Sequence, residues 1–230
     1  MNGPCGAGQH SIRAAIFDFD GLILDTEWPE YQSVSEVYAE HGMELVLEEW
    51  QAIVGTADHP HWSEMLADAL GRPLEDVDAI VERRRERHHD LIADQELLPG
   101  VIELLDEAAD LRLPTGVASS SSSDWVEGHL DRLGLLERFD VVRCRDHVER
   151  AKPAPDLYVA VVDALEARPD EAVAFEDSAH GVAAARAAGL WCVAVPNEVT
   201  RTLDFGDAHL LVASLEEVSL RDLATVGFAP

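Results

Sequence analysis

Lysine is almost absent from this chain. Of 17 basic residues among 230, all but Lys152 are arginine, and 45 acidic residues bring the formal net charge to −28. So deep a shortage of positive charge argues against DNA, RNA or an anionic membrane surface as a partner, since each would be repelled. Cysteine is scarce as well. Cys5, Cys144 and Cys192 form neither a CxxC pair nor a paired framework, so they read as reduced thiols. No apolar run approaches the length of a membrane span. The Gly-rich stretch Met1 to His10 lacks the apolar centre of a secretory signal. These absences together lead to the expectation of a cytoplasmic protein. What remains is ordinary: 47% hydrophobic and 27% charged residues, as in a soluble globular protein with one core and a modest insertion.

The pattern along the chain alternates. Short apolar runs that read as buried strands lie at residues 12–17, 114–119, 141–142, 172–175, 191–195 and 210–212. Helical segments are expected near 101–110, 124–133, 156–167 and 179–188, the last stopped by Gly189. Alternation of this kind predicts an α/β fold, a Rossmann-like parallel sheet core with helices on both faces. Between Pro29 and about Asp94 the text is different. Tyr31, Val34, Val37 and Tyr38 recur at helical spacing, as do Trp62, Met65, Leu66, Ala69 and Leu70. This predicts an all-helical cap over 26–95, inserted into a core made of 1–25 and 96–230. Its Arg- and His-rich stretch, Glu82 to Asp90, reads as a solvated helix.

Parallel sheets of this class bind ligands at the carboxyl ends of their strands, and polar residues gather there. Asp18 and Asp20 follow the first strand. At period two their side chains would point the same way. Two acids side by side must be neutralised by a shared proton or a cation. The simplest reading is a hard divalent cation on oxygen ligands, beside a carboxylate able to act as nucleophile. Ser119, followed by Ser120, ends the second strand, and Glu176 with Asp177 ends the fourth. Lys152 lies in the loop after the third. A composition that uses arginine elsewhere and keeps one lysine points to a place where a compact ammonium is needed and a planar fork is not.

The string Asp18-Phe19-Asp20-Gly21-Leu22-Ile23-Leu24-Asp25-Thr26 resembles the first motif, DxDGxxxDT, of the haloacid dehalogenase-like hydrolases, at every fixed position. Ser119 after Gly116-Val117-Ala118 is similar to the second motif. Lys152-Pro153-Ala154-Pro155-Asp156 is similar to the third, and Phe175-Glu176-Asp177-Ser178 with Gly181 to the fourth. The resemblance spans nearly the whole chain. It implies a phosphoryl-transfer enzyme in which Asp18 is the nucleophile and forms an aspartyl-phosphate, while Asp20 acts as general acid and then base. It also implies Mg2+ held by Asp18, the Asp20 backbone carbonyl and Asp177, with Glu176 close by. Ser119, Ser120 and Lys152 would hold oxygens of the transferring group.

Within that family, Asp20 and the Glu176-Asp177 pair speak against metal-free dehalogenation, and the absence of lysine from 26–95 speaks against a Schiff-base phosphonatase. The implied activity is hydrolysis of a small phosphorylated metabolite. A β-phosphoglucomutase-like mutase is the runner-up. Such mutases carry a histidine soon after Asp25-Thr26 and an arginine after the cap glycine. Here Glu30 stands near the first place, and Ala57 or Asp58 follows Gly55-Thr56 at the second. A binding module without activity would be expected to have lost one of Asp18, Asp20, Lys152 or Asp177. His59, His61, His88 and His89, and the run Arg83 to Arg85 with Arg87, are expected on the solvated surface. The oligomeric state has no signal in the sequence.

Overall fold

The computed structural model describes residues 12–57 and 59–226, so Cys5 and Asp58 lie outside the described residues. Six strands pair in parallel in the order β3-β2-β1-β4-β5-β6: β1 (Ala14–Phe17), β2 (Thr115–Ala118), β3 (Val141–Arg143), β4 (Ala172–Glu176), β5 (Trp191–Ala194) and β6 (Leu210–Leu211). The expected α/β class and parallel sheet are present. Strand β1 is central because all four of its side chains, Ala-Ala-Ile-Phe, are buried, as a strand covered on both faces requires.

One face of the sheet packs Phe17, Val117 and Phe175 under α5 (Val101–Leu111), α6 (Ser123–Arg132) and α9 (Leu220–Val226). The other packs Ile16, Ala174 and Cys192 under α7 (Asp156–Ala164) and α8 (Ala179–Ala187). Helix α7 ends three residues short of the expected Ala167. Glu166 there adopts a left-handed φ of 53°, which turns the chain out of the helix. Helix α8 starts where the Ser178 hydroxyl accepts the Gly181 amide at 3.0 Å.

Residues 27–93 contain α1 (Glu27–Glu40), α2 (Leu47–Gln51), α3 (Trp62–Leu70) and α4 (Val77–Ala93). They surround a third apolar cluster of Val34, Val37, Trp50, Leu66 and Ile80, joined by Val199 from beyond β5. The two connections run side by side, since the Leu98 amide donates to the Ile23 carbonyl at 3.0 Å. The turn after α2 lies on the sheet side. Gln51 Nε2 donates to the Val199 carbonyl, His180 Nδ1 lies 2.9 Å from the Val54 carbonyl, and Ser120 Oγ donates to the Gly55 carbonyl at 3.1 Å.

The solvated helix expected over 82–90 is half right. It belongs to the longer α4, on which Arg83, Arg85 and Arg87 are exposed. On the inner side His88 is buried and the Arg84 side chain is nearly so, facing Glu30 of α1. Residues 84 and 88 are one helical turn apart, so they share a face that a run of charges does not reveal.

Candidate active site

Each acidic strand tip is positioned by the sheet register. Phe17 lies opposite Phe175 and Val117, so Asp18, Glu176 and Ser119 emerge together at one edge. Lys152 Nζ lies 2.7 Å from Asp18 Oδ1 and 2.7 Å from Glu176 Oε1, with all three side chains buried. Burial alone would lower the lysine's pKa, but the Asp18 and Glu176 carboxylates outweigh it and hold the ammonium above its usual range. Burial pushes Asp18 up to about 7; Glu176 adds to that push, and Lys152 opposes it. Asp177 is pushed well above the carboxylate range by burial and then by Asp18.

Asp18, Glu176 and Asp177 bring carboxylate oxygens within 4.8 Å of one another. Three buried carboxylates against one ammonium leave two negative charges to be balanced, which a divalent cation on hard oxygen donors would do. The donor set therefore fits such an ion. Glu176 is the most heavily engaged of the three: besides Lys152, it accepts from the Tyr158 hydroxyl and from Ser178 Oγ at 3.4 Å. Space for its carboxylate comes from Gly181, where any Cβ would sit 1.9 Å from a Glu176 oxygen. Asn197 Nδ2 holds Asp177 Oδ2 at 2.6 Å and also reaches the Gly21 carbonyl.

Asp20 lies apart from that cluster. Its side chain is not among the three clustered carboxylates, although it lines the same cavity as Asp18. Its Oδ1 accepts from Thr26 Oγ1 at 2.9 Å and from Trp125 Nε1 at 2.8 Å. Its Oδ2 accepts from Ser119 Oγ at 3.2 Å and Ser121 Oγ at 2.7 Å. Ser119 is fully buried and also accepts the Ser121 amide at 3.0 Å, whereas Ser120 lines the cavity beside its bond to Gly55.

Asp18, Asp20 and Lys152 open into a cavity of about 650 Å³ whose far wall is helical. Glu30 there pairs with Arg84 and lies 3.0 Å from His88 Nε2. Burial lowers the His88 pKa, with Glu30 opposing. Trp50, Trp62 and Trp125 supply aromatic surface. His59, His61 and His89 line the cavity from exposed positions, and Arg85 stands exposed at its rim. Among the described residues, Trp50 Nε1 and Arg84 Nε are buried with no hydrogen-bond partner, and His88 Nε2, although near Glu30, makes no hydrogen bond.

Sequence reasoning passed over Trp125, Tyr158, Asn197 and Ser121. Ser121 had a signal in the serine run, whereas Trp125, Tyr158 and Asn197 act from positions 105, 18 and 20 residues away from the acids they hold. Their spacing carries no local signature.

The family model described as “Haloacid dehalogenase-like hydrolase” matches residues 15–195, which include every strand tip just described. The chain belongs to that family. Among its relatives is the Bacillus subtilis (strain 168) protein named “Putative phosphatase YhcW”, 44% identical over 209 residues, 91% of this chain and 94% of that one. “Fructose-1-phosphate phosphatase YqaB” of Escherichia coli (strain K12) is 34% identical and covers 78% of this chain and 94% of its own. The crystal structure of CbbY from Rhodobacter sphaeroides in complex with phosphate superposes with a TM-score of 0.72 at 32% identity, covering 90% and 96%. Among the described residues, no helix of this family member is long and apolar enough to cross a membrane.

Proposed function

We propose that this phosphoric monoester hydrolase is a Mg2+-dependent phosphatase acting on a small phosphorylated sugar through an aspartyl-phosphate on Asp18. The observation that carries it is the buried arrangement of Lys152 between Asp18 and Glu176, beside Asp177. The sugar-phosphate class is supported by the relative whose name specifies fructose 1-phosphate and by a cavity large enough for a monosaccharide phosphate.

In this reading Asp18 Oδ2 attacks phosphorus while Oδ1 stays on Lys152, so the nucleophile is oriented before the substrate arrives. The bond from phosphorus to the leaving oxygen breaks as the bond to Asp18 forms. Asp20, its Oδ1 held by Thr26 and Trp125, frees Oδ2 from the Ser119 and Ser121 hydroxyls to protonate that oxygen, then removes a proton from the water that hydrolyses the acyl-phosphate. Lys152, Ser120 and the amides that follow Ser119 supply positive potential to the transferring group. Asp18, the Asp20 carbonyl and Asp177 would hold the Mg2+, with Glu176 nearby as Lys152's partner; when bound, the ion offsets charge between nucleophile and phosphate. Residues 26–95 act as a cap that closes over the leaving group and excludes bulk water. The site is expected to work in the cytoplasm, on a free metabolite.

A phosphate-release screen over sugar monophosphates, nucleotides and aryl phosphates with Mg2+ tests the reading. Release from at least one sugar monophosphate, lost in Asp18→Asn, is expected. Full activity in a chelator-treated sample would contradict the metal assignment.

A further inference from the structure

Three of Asp20's four donors are hydroxyls, which swing about a single bond and can turn to other acceptors. The fourth is an indole N–H, which donates only and has its direction fixed by the ring. The Trp125 ring is itself held from two regions. It stacks on His88 of α4, with centroids 5.4 Å apart and planes 14° from parallel. It also meets His129 of its own helix α6 edge-on at 4.3 Å. Half-buried on the cavity wall, it therefore touches both the helical wall and the carboxylate at the strand tip.

We propose that Trp125 is a positioning residue for Asp20, and that it links the placement of α4 to the orientation of that carboxylate. The inference rests on the reading of Asp20 as acid and base. With α4 in place, His88 seats the indole, and Trp125 Nε1 together with Thr26 fixes Oδ1. When α4 withdraws, the ring loses the face it packs against. Its N–H then no longer defines where Oδ1 points, and the acid is disordered until the wall returns. A proton would thus be offered to the leaving oxygen chiefly when substrate is enclosed. The link involves no titration of His88. It depends on contact between planar groups and on one hydrogen bond, so Glu30, the Arg84 and His89 charges that oppose it, and the His89 ring enter only by placing the imidazole.

Trp125→Phe keeps an aromatic ring and deletes the N–H. Turnover of an aryl phosphate, whose leaving group needs little protonation, and of the best alkyl sugar phosphate should be measured on the same sample with Mg2+. The alkyl kcat is expected to fall about ten-fold while the aryl kcat stays within about two-fold, a fraction of the 10²–10⁴ that general acid catalysis supplies. The KM values should hold to within about two-fold, because an aromatic ring stays on the cavity wall. The ratio of the two substrates is independent of how much protein is folded. In an Asp20→Asn background, Trp125→Phe should change neither rate. His88→Ala should lower the alkyl-to-aryl ratio about three-fold, in the same direction and by less. Equal losses on both substrates, an unchanged ratio, or additive losses in the double variant would overturn the proposal, and an unchanged ratio in His88→Ala would overturn its link to α4. If Asp20→Asn itself left alkyl turnover intact, the acid–base reading would fall, and this inference with it. If Asp20→Asn is impaired but Trp125→Phe is silent, this inference alone fails.

Discussion

The strand tips and the helical wall enclose the same cavity but are built differently. At the tips, charge is concentrated, buried and tightly paired: Asp18, Glu176 and Lys152 are held at hydrogen-bond distance by neighbours in a rigid sheet. The wall is aromatic and loosely satisfied: Glu30 pairs with Arg84 beside His88, and Trp50 Nε1, Arg84 Nε and His88 Nε2 have no hydrogen-bond partner among the described residues. Chemistry common to a family of reactions needs the first kind of site. Recognition that differs from one substrate to another is served by the second, where side chains exchange without disturbing a sheet. Energetic consequences should therefore be large at the tips and modest on the wall.

The sharpest break should come at Lys152. Lys152→Met leaves Asp18 and Glu176 buried without their cation, and removal of one partner from a buried pair typically costs ~3–5 kcal/mol. Loss of one donor aimed at a transferring group costs on the order of 10²–10³ in rate. Lys152→Arg preserves charge but not shape, and should also turn over sugar phosphate at least 10²-fold more slowly, on the order of that same loss. Melting curves and steady-state rates check both, and near-normal kinetics for the arginine variant would make the lone lysine incidental.

Metal removal should come next. Asp18, at about 7, Glu27 and Asp177 all have raised pKa values, owing first to burial and then to a neighbouring carboxylate, Glu176 for Asp18, Asp20 for Glu27 and Asp18 for Asp177. Each is easier to protonate folded than unfolded. Its contribution is thus fully present below the ordinary carboxylate pKa and is lost as pH rises through the folded value. The chelated protein should melt at a lower temperature at about pH 8 than at about pH 6, and excess Mg2+ should narrow that gap by balancing the carboxylates. Activity should vanish with chelator, and Ca2+, which prefers longer bonds and more ligands, should restore it poorly.

Changes on the wall should be smaller. Gly55 has a φ of +81°, and a Cβ there would lie 2.2 Å from Ser178 Oγ. Gly55→Ala should add ~1–2 kcal/mol of left-handed strain to the turn that meets Ser120 and lower kcat/KM about ten-fold. The global melting temperature should change little. Glu30→Gln removes half of a partly exposed pair worth ~0.2–1 kcal/mol, so KM should shift less than about five-fold. A loss there as deep as that of Lys152→Met would erase the contrast between the two regions.

The same contrast explains what could be read from sequence. Asp18, Glu176 and Asp177 come from short segments that end strands, a local feature, and Lys152 stands out in the loop after β3 as the chain's one lysine. The structure brings these four together at one edge. The alternation of apolar runs likewise predicted six strands, and six are present in the parallel sheet. The partners of Asp20 were less legible, because Ser119, Ser121 and Trp125 reach it from about a hundred residues along the chain. In sequence, Glu30 only stands near the place where the mutases carry a histidine. Arg84 and His88, more than fifty residues on, lie against it, and its charge cannot be judged without them. Arg84 and His88 themselves were lost in a run of charges whose inner face only the packing of α4 on α1 defines.

The central claim is that Asp18 takes the phosphoryl group and water receives it. Phosphorus NMR can follow a sugar monophosphate, seeded with a trace of the corresponding bisphosphate, in the presence of Mg2+. The wild-type protein should convert the ester signal to inorganic phosphate with little isomerised ester, and Asp18→Asn, nearly isosteric but a poor nucleophile, should leave the ester unchanged. Isomerised ester without phosphate release, or release that persists in Asp18→Asn, would contradict the account.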